Sequence, residues 1–305
     1  DSVASRGLGD VYKRQANKWV DLLRPNPYRV GIKAVRSLDR WVRKNFRENK
    51  PYDRFVHDLL TSQGRTFRNG AVTVFRDRRS PEELVTMFSQ LFLGIRLECA
   101  RCHQHPYEIW SQKDFYSLAA YFAKVGRKGT GLSPPISGSE EYIFTKKAGE
   151  VRHPRTNEVL PPRPLFGAPP DATSGDPRQA LAAWMTEKDN GFFPAVMVNR
   201  VWADLMGRGI VEPVDDIRAT NPASNEPLLD HLAEVFRQSP APDLPEVPRF
   251  THTFGKVGRR PQRMRTAAGG KPIDEPGDTT DTGTTTDDDI DIFPIRPVAI
   301  RRPVV

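Results

Sequence analysis

The sequence predicts a mainly α-helical chain, with two helical domains, a small β-hairpin near their junction and a disordered C-terminal tail. Apolar residues recur mostly three and four positions apart, which is the spacing of amphipathic helices that pack on one another. Stretches rich in proline and glycine interrupt this pattern and predict loops or a domain boundary. No apolar run approaches the ~18 residues that a membrane-spanning helix needs, so the sequence predicts no transmembrane segment.

Composition divides the chain of 305 residues into successive parts. Residues 1–15 resemble translated sequencing-adapter read-through and are expected to be a non-native leader. The first helical domain is expected over residues 16–160, a linker over 161–177 and the start of the second domain over 178–238. Residues 239–305 are expected to be a disordered or out-of-frame tail, because a basic block and then an acidic block follow without helical periodicity.

Apolar stripes predict the helices of the first domain, and the third helix has the clearest start. Ser80 is expected to be its N-cap, Pro81 its first residue and Glu83 the acidic partner of a capping box. This helix is expected to run into Cys99, and Pro106 to end or bend it. The stripes are Ile32, Val35, Leu38, Val42 and Phe46; Tyr52, Phe55, Val56 and Leu59; Leu84, Phe88, Leu91 and Ile95; and Phe115, Leu118, Ala119 and Phe122.

The fourth helix should begin at Ser111, with Asp114 completing its cap, and should end at Gly126. A loop is expected over residues 130–138. Beyond it, residues 142–145 and 151–153 are expected to pair as a small hairpin.

The second domain should begin with a helix at Asp176-Pro177. A following helix is expected to end at Gly207, and both Trp184 and Trp202 are expected to be buried. The apolar positions of these helices and of a last one are Leu181 and Trp184; Val198, Val201, Trp202 and Leu205; and Leu228, Leu229, Leu232 and Phe236.

Both cysteines of the chain lie in the segment Cys99-Ala100-Arg101-Cys102-His103. Two cysteines are too few for a disulfide scaffold or for a four-cysteine zinc or iron–sulfur site. Their spacing is the one used to attach haem c, because one helical turn places both sulfurs on the same face for thioether bonds. His103 is then the expected proximal ligand of the haem iron.

Two alternatives remain open for this motif. One is a zinc site built from Cys99, Cys102 and either His103 or His105, with a fourth ligand elsewhere. The other is a pair of reduced cysteines buried in a helix, with no cofactor. For a haem, the candidates for the sixth ligand are Met87, Met197, Met206, His57, His105 and His153. Two uses are open for the apolar side chains around the motif, the walls of a haem slot or an ordinary core; they are Phe88, Phe92, Ile95, Tyr107, Trp110 and Phe115.

Glu212, Asp215 and Asp216 form a carboxylate cluster that offers a hydrolytic alternative, since paired carboxylates can serve as acid and base. The other interpretation of this cluster is a polar turn. The net charge of +8 permits an acidic partner, but the arginines are scattered along helices and no specific nucleic-acid partner is expected.

The segment Phe92 to Pro106 resembles the signature of the second planctomycete cytochrome C-like domain, a domain of unknown function. Segments 21–24 and 49–56 also resemble that family. Segments of the second half resemble its usual partner, a planctomycete-specific domain of unknown function; they are 181–186, 196–203, 207–216 and 228–233. The resemblance spans Lys18 to Gln238 and implies a periplasmic or cell-surface location and a fragment of a longer protein.

The resemblance and the motif together predict an extracytoplasmic c-type haem protein that acts in electron transfer or redox sensing. Its partner would be a redox protein or a surface assembly. The alternative is a non-haem surface module of a polysaccharide-handling assembly, with the motif structural or zinc-bound. The resemblance carries no enzyme activity over to this chain.

Overall fold

The computed structural model describes residues 2–130, 139–172 and 175–238, with the side chains of residues 13–129, 139–172 and 175–238. It confirms a mainly helical fold. The helices are α1 (Ser2–Leu23), α2 (Pro27–Val30), α3 (Ile32–Arg47), α4 (Tyr52–Leu60), α5 (Thr73–Asp77), α6 (Pro81–Leu93), α7 (Gln112–Ala119), α8 (Pro177–Met185), α9 (Phe192–Met206) and α10 (Glu226–Gln238). The strands are β1 (Gly64–Arg65), β2 (Val125–Thr130), β3 (Glu140–Thr145), β4 (Val151–Arg152) and β5 (Val159–Leu160). Short 3-10 turns cover Gly70–Val72, Glu98–Arg101 and Ala120–Phe122.

The tail expected over residues 239–305 and all but the first residue of the predicted loop 130–138 lie outside the described residues. None of the described helices is both long and apolar enough to cross a membrane.

Helix α6 begins as the sequence predicts but ends earlier. Ser80 Oγ accepts the Glu83 N–H at 3.1 Å, and the Glu83 carboxylate accepts the Ser80 N–H at 3.2 Å, which completes the capping box. The prediction that the helix runs into Cys99 is wrong, because Gly94 adopts a left-handed conformation with φ +67° and ends it. Pro106 therefore ends no helix.

Helix α7 also has its predicted capping box, formed by Ser111 and Asp114. The prediction that Gly126 ends this helix is wrong, because Gly126 lies in β2, opposite Phe144. A Cβ at Gly126 would lie 2.7 Å from the Phe144 ring, so glycine is needed for the ring to cover the strand.

The two segments predicted to form a hairpin are strands, but they do not pair with each other. β3 lies between β1 and β2 and is antiparallel to both, whereas β4 pairs with β5. The prediction failed because β2, with the sequence Val-Gly-Arg-Lys-Gly-Thr, lacks the alternating apolar pattern that marks a strand.

In the second half of the chain, α8 begins and α9 ends at the predicted residues. Asp176 caps α8 by accepting the Arg178 N–H at 3.1 Å, and left-handed Gly207 ends α9. Trp184 is buried, but Trp202 is only partly buried, against a smaller cluster made by α9, α10 and the loop between them.

One hydrophobic core runs through the described residues from α1 to α9. It contains residues on both sides of the predicted linker, among them Leu38, Phe92, Trp184 and Met197. Tyr52 of α4 stacks on Phe193 of α9, with ring centroids 4.8 Å apart. The described residues all fall in a single compact unit.

Candidate functional site

The two cysteines lie at the surface, in and directly after the 3-10 turn Glu98–Arg101. Both thiols are free and exposed. The Cys102 N–H donates to the Cys99 carbonyl oxygen at 3.3 Å, and the His103 N–H donates to the same oxygen at 3.4 Å. The alternative of cysteines buried in a helix is therefore wrong, because the motif follows the end of α6 and forms an exposed turn.

Buried residues and a hydrogen bond from α7 anchor the turn to the rest of the protein. Leu97 and Ala100 are fully buried, while Glu98, Cys99 and Arg101 are exposed. The Gln112 side chain, at the start of α7, donates to the Arg101 carbonyl oxygen at 2.8 Å. The thiols are thus presented on an anchored turn.

The ring of His103 is also exposed, and its orientation is set by the backbone. Its Nδ1 lies 2.6 Å from the carbonyl oxygen of Gln104. A carbonyl oxygen only accepts hydrogen bonds, so Nδ1 carries the proton and the lone pair of the neutral ring is on Nε2. Metal-ligating histidines in proteins commonly have this arrangement.

His105 differs from His103 in burial and in bonding. It is 7% exposed, and its Nδ1 accepts the Tyr107 N–H at 3.3 Å. The backbone N–H of His105 donates to the Trp110 carbonyl oxygen at 2.9 Å, which closes the loop after the motif. Within the described ranges, no three side chains of the metal-binding types His, Cys, Asp and Glu form a group that could hold a metal ion.

The other candidates for a sixth haem ligand lie in the core, at a helix end or beside polar groups of their own segments. Met87 and Met197 are core residues, and Met206 is exposed at the end of α9. His153 is buried, and its Nδ1 lies 3.3 Å from the N–H groups of Arg155 and Thr156. His57 lies 3.6 Å from Asp58.

The aromatic side chains expected to wall a haem slot belong mainly to the core. Phe88 stacks on Phe122, with centroids 5.5 Å apart, and Phe92 stacks on Trp19 at 5.8 Å. Phe115 is fully buried. At these positions the side chains form an ordinary core and not the walls of a haem slot.

Two carboxylates of the predicted hydrolytic cluster, Asp215 and Asp216, bind arginines, whereas the exposed Glu212 accepts the Gly209 N–H at 3.0 Å. Asp215 accepts hydrogen bonds from Arg96 at 2.5 Å and from Gln90 at 2.7 Å. The buried Asp216 carboxylate lies 3.2 Å from the Arg218 guanidinium and 3.9 Å from that of Arg96. These pairs support the turn interpretation, with a structural role for both aspartates.

The loop 207–221 that carries these aspartates contacts both flanks of the cysteine motif. On one side, the Ile217 N–H donates to the Gly94 carbonyl oxygen at 2.8 Å. On the other, the Arg218 guanidinium lies 5.8 Å from the centre of the Tyr107 ring. Burial raises the pKa of Glu108. We call these contacts of loop 207–221 with Gly94 and Tyr107 the clasp. The sequence analysis did not predict the clasp, although the acidic pair Asp215-Asp216 and Arg96 beside the motif were both visible.

Comparison with known families is consistent with the motifs. No curated protein and no solved structure matches the chain. Residues 9–127 match PSCyt2, described as "Protein of unknown function (DUF1549)", and residues 177–241 match PSD1, described as "Protein of unknown function (DUF1553)". The PSCyt2 and PSD1 models thus match the two halves of the described chain in the order that its sequence motifs indicated.

Proposed function

We propose that this chain is an extracytoplasmic c-type haem protein with a role in electron transfer or redox sensing. Cys99 and Cys102 would form the thioether bonds, and His103 would be the proximal ligand. The proposal depends mainly on one observation: two exposed, free thiols of a single turn are followed by a histidine whose Nδ1 bonds a backbone carbonyl.

The donor set fits haem c. Thioether formation needs thiols that a vinyl group can reach, and both cysteines are exposed. The Gln104 carbonyl holds the His103 ring in the tautomer that leaves Nε2 free for iron. Bound haem would supply one-electron redox chemistry, while the residues of this chain position and orient it.

The name PSCyt2 supports a cytochrome c-like interpretation but assigns no activity. The proposed periplasmic or cell-surface location follows from the family resemblance and from the attachment motif. A redox protein or a surface assembly would then be the partner.

Expression in a host that matures c-type cytochromes outside the cytoplasm tests the proposal. We expect haem to stay with the polypeptide after denaturation and acid–acetone extraction. Cys99→Ala and Cys102→Ala should each weaken attachment, and His103→Ala should change the absorbance spectrum through loss of an axial ligand. His231→Ala, a change of an exposed histidine on α10 that is not among the candidate ligands, is the matched control and should leave both readouts unchanged.

A colourless product would refute the haem proposal if the same host matures a control cytochrome. Stoichiometric zinc in that product would support the alternative, a non-haem surface module with a zinc-bound motif. Metal analysis of the purified protein separates these two outcomes.

A further inference from the structure

We infer that Tyr107 and Ile109 form the apolar surface on which the porphyrin of an attached haem lies; this inference rests on the proposed function. Both side chains belong to the loop that directly follows His103. Tyr107 is 66% exposed and Ile109 is 79% exposed. Two large apolar side chains with this exposure form an apolar surface, and covering it with an apolar ligand is favourable in free energy.

Hydrogen bonds place this surface beside the attachment motif. The Gln104 side chain donates to the Ile109 carbonyl oxygen at 3.2 Å. Ile109 therefore lies alongside Gln104, whose own carbonyl oxygen holds the His103 ring. The apolar residue and the proposed iron ligand thus share one short, closed loop.

The loop is anchored at its base, so the exposure of Tyr107 and Ile109 belongs to its folded conformation. His105 and Trp110 are buried and joined by a 2.9 Å backbone hydrogen bond, which anchors the base of the loop. Between them, the clasp holds the Tyr107 ring near Arg218. Two apolar side chains between anchored neighbours provide a fixed platform for a flat, apolar ligand.

The position of this platform favours a porphyrin over other occupants. A haem tethered through Cys99 and Cys102, with iron on His103, needs apolar contacts close to that tether, and the aromatic residues of α6 have no surface left to provide them. Tyr107 and Ile109 are the large apolar side chains exposed on the loop next to the thiols.

The test compares two double variants of the full chain. Tyr107→Ser with Ile109→Ser removes the proposed platform. Tyr28→Ser with Ile32→Ser is the matched control, since Tyr28 is 94% exposed and Ile32 is 58% exposed on the α2–α3 segment. The readouts are covalent haem per chain, the affinity of the purified haem-free protein for added haem from its absorbance, and thermal unfolding of the haem-free protein.

We expect the platform variant to bind added haem about tenfold or more weakly than the parent chain, because burial of large apolar side chains favours binding. Covalent loading should fall in parallel, while the control variant keeps parental values. Both variants should keep the parental unfolding temperature and two thiols that react with a thiol reagent. If the platform variant unfolds, Ile109→Ser alone gives the same comparison.

The outcomes separate the two proposals. Normal haem binding and loading by the platform variant would overturn this inference and leave the proposed function intact. A parent chain that takes up no haem would overturn both. A variant with normal haem binding but altered self-association would assign the surface to contacts between copies of the chain, which also overturns the inference.

Discussion

Asn199 should be one of the most costly side chains to remove, although it lies outside the cysteine motif. It is fully buried on α9, and its amide holds the loop that forms the clasp. Its Nδ2 donates to the Val211 and Val214 carbonyl oxygens at 2.9 and 3.2 Å. Its Oδ1 accepts the N–H groups of Ile210 and Val211 at 2.7 and 3.0 Å.

The magnitude for Asn199→Ala follows from those four bonds. At about 1 kcal/mol each, their loss lowers the free energy of unfolding by about 4 kcal/mol. The true cost should not fall much below this, since Ile210 and Val211 are 4% and 2% exposed and water cannot readily replace the amide. In a chain of this size, about 4 kcal/mol corresponds to a Tm lower by about 8–16 °C.

Urea unfolding followed by circular dichroism measures this change. Asn225→Ala is the matched control, because exposed Asn225 accepts a single bond, from the Leu228 N–H at 3.1 Å, at the start of α10. The control should lose about 1 kcal/mol. A loss below about 1 kcal/mol for Asn199→Ala would refute the reasoning, since it would mean that the loop is held by other contacts.

Three further predictions concern packing, pH and backbone conformation. Trp184→Ala should cost about 3–5 kcal/mol in urea unfolding, because the indole is 4% exposed, whereas Trp202→Ala should cost less than half of that; equal losses would contradict the burial difference. Burial acts to raise the pKa of Asp176, but hydrogen bonds from Arg178 and Thr145 outweigh it and hold the pKa below 3.8. Its stabilisation is therefore present above about pH 4 and lost as the pH falls through the lower folded-state value, so Asp176→Asn should flatten the acid side of a Tm–pH profile; an unchanged profile would exclude this contribution. Gly94→Ala should cost about 1–2 kcal/mol, because φ is +67° and a Cβ would lie 3.0 Å from Ile217, and a neutral change by calorimetry would show that the turn tolerates a side chain.

Local signals in the sequence predicted the helix starts well. Ser80, Ser111 and Asp176 each cap the helix that follows them, because a short polar side chain before a helix satisfies an amide that is otherwise unpaired. Such caps depend on neighbouring residues only, so a single sequence contains the information.

Long-range features were harder to predict. The pairing of β3 with β1 and β2 joins segments that are more than 70 residues apart in one case, and nothing in Gly64–Arg65 marks a strand. The helical spacing of the α6 stripe continues to Ile95 and gave no sign that Gly94 would end the helix. The cysteine motif itself was visible, but its exposure and the clasp around it required the fold.

The shared core has a consequence for how these domains can be inherited. Arg200, in the PSD1 region, donates to the Leu91 carbonyl oxygen of the PSCyt2 region at 3.1 Å and stacks over Trp19. A gene rearrangement that separated the two regions would leave a buried guanidinium without this acceptor and an aromatic core without its cover. Selection should therefore keep the two regions in one reading frame and in this order, and substitutions on one side of the junction should be matched by substitutions on the other.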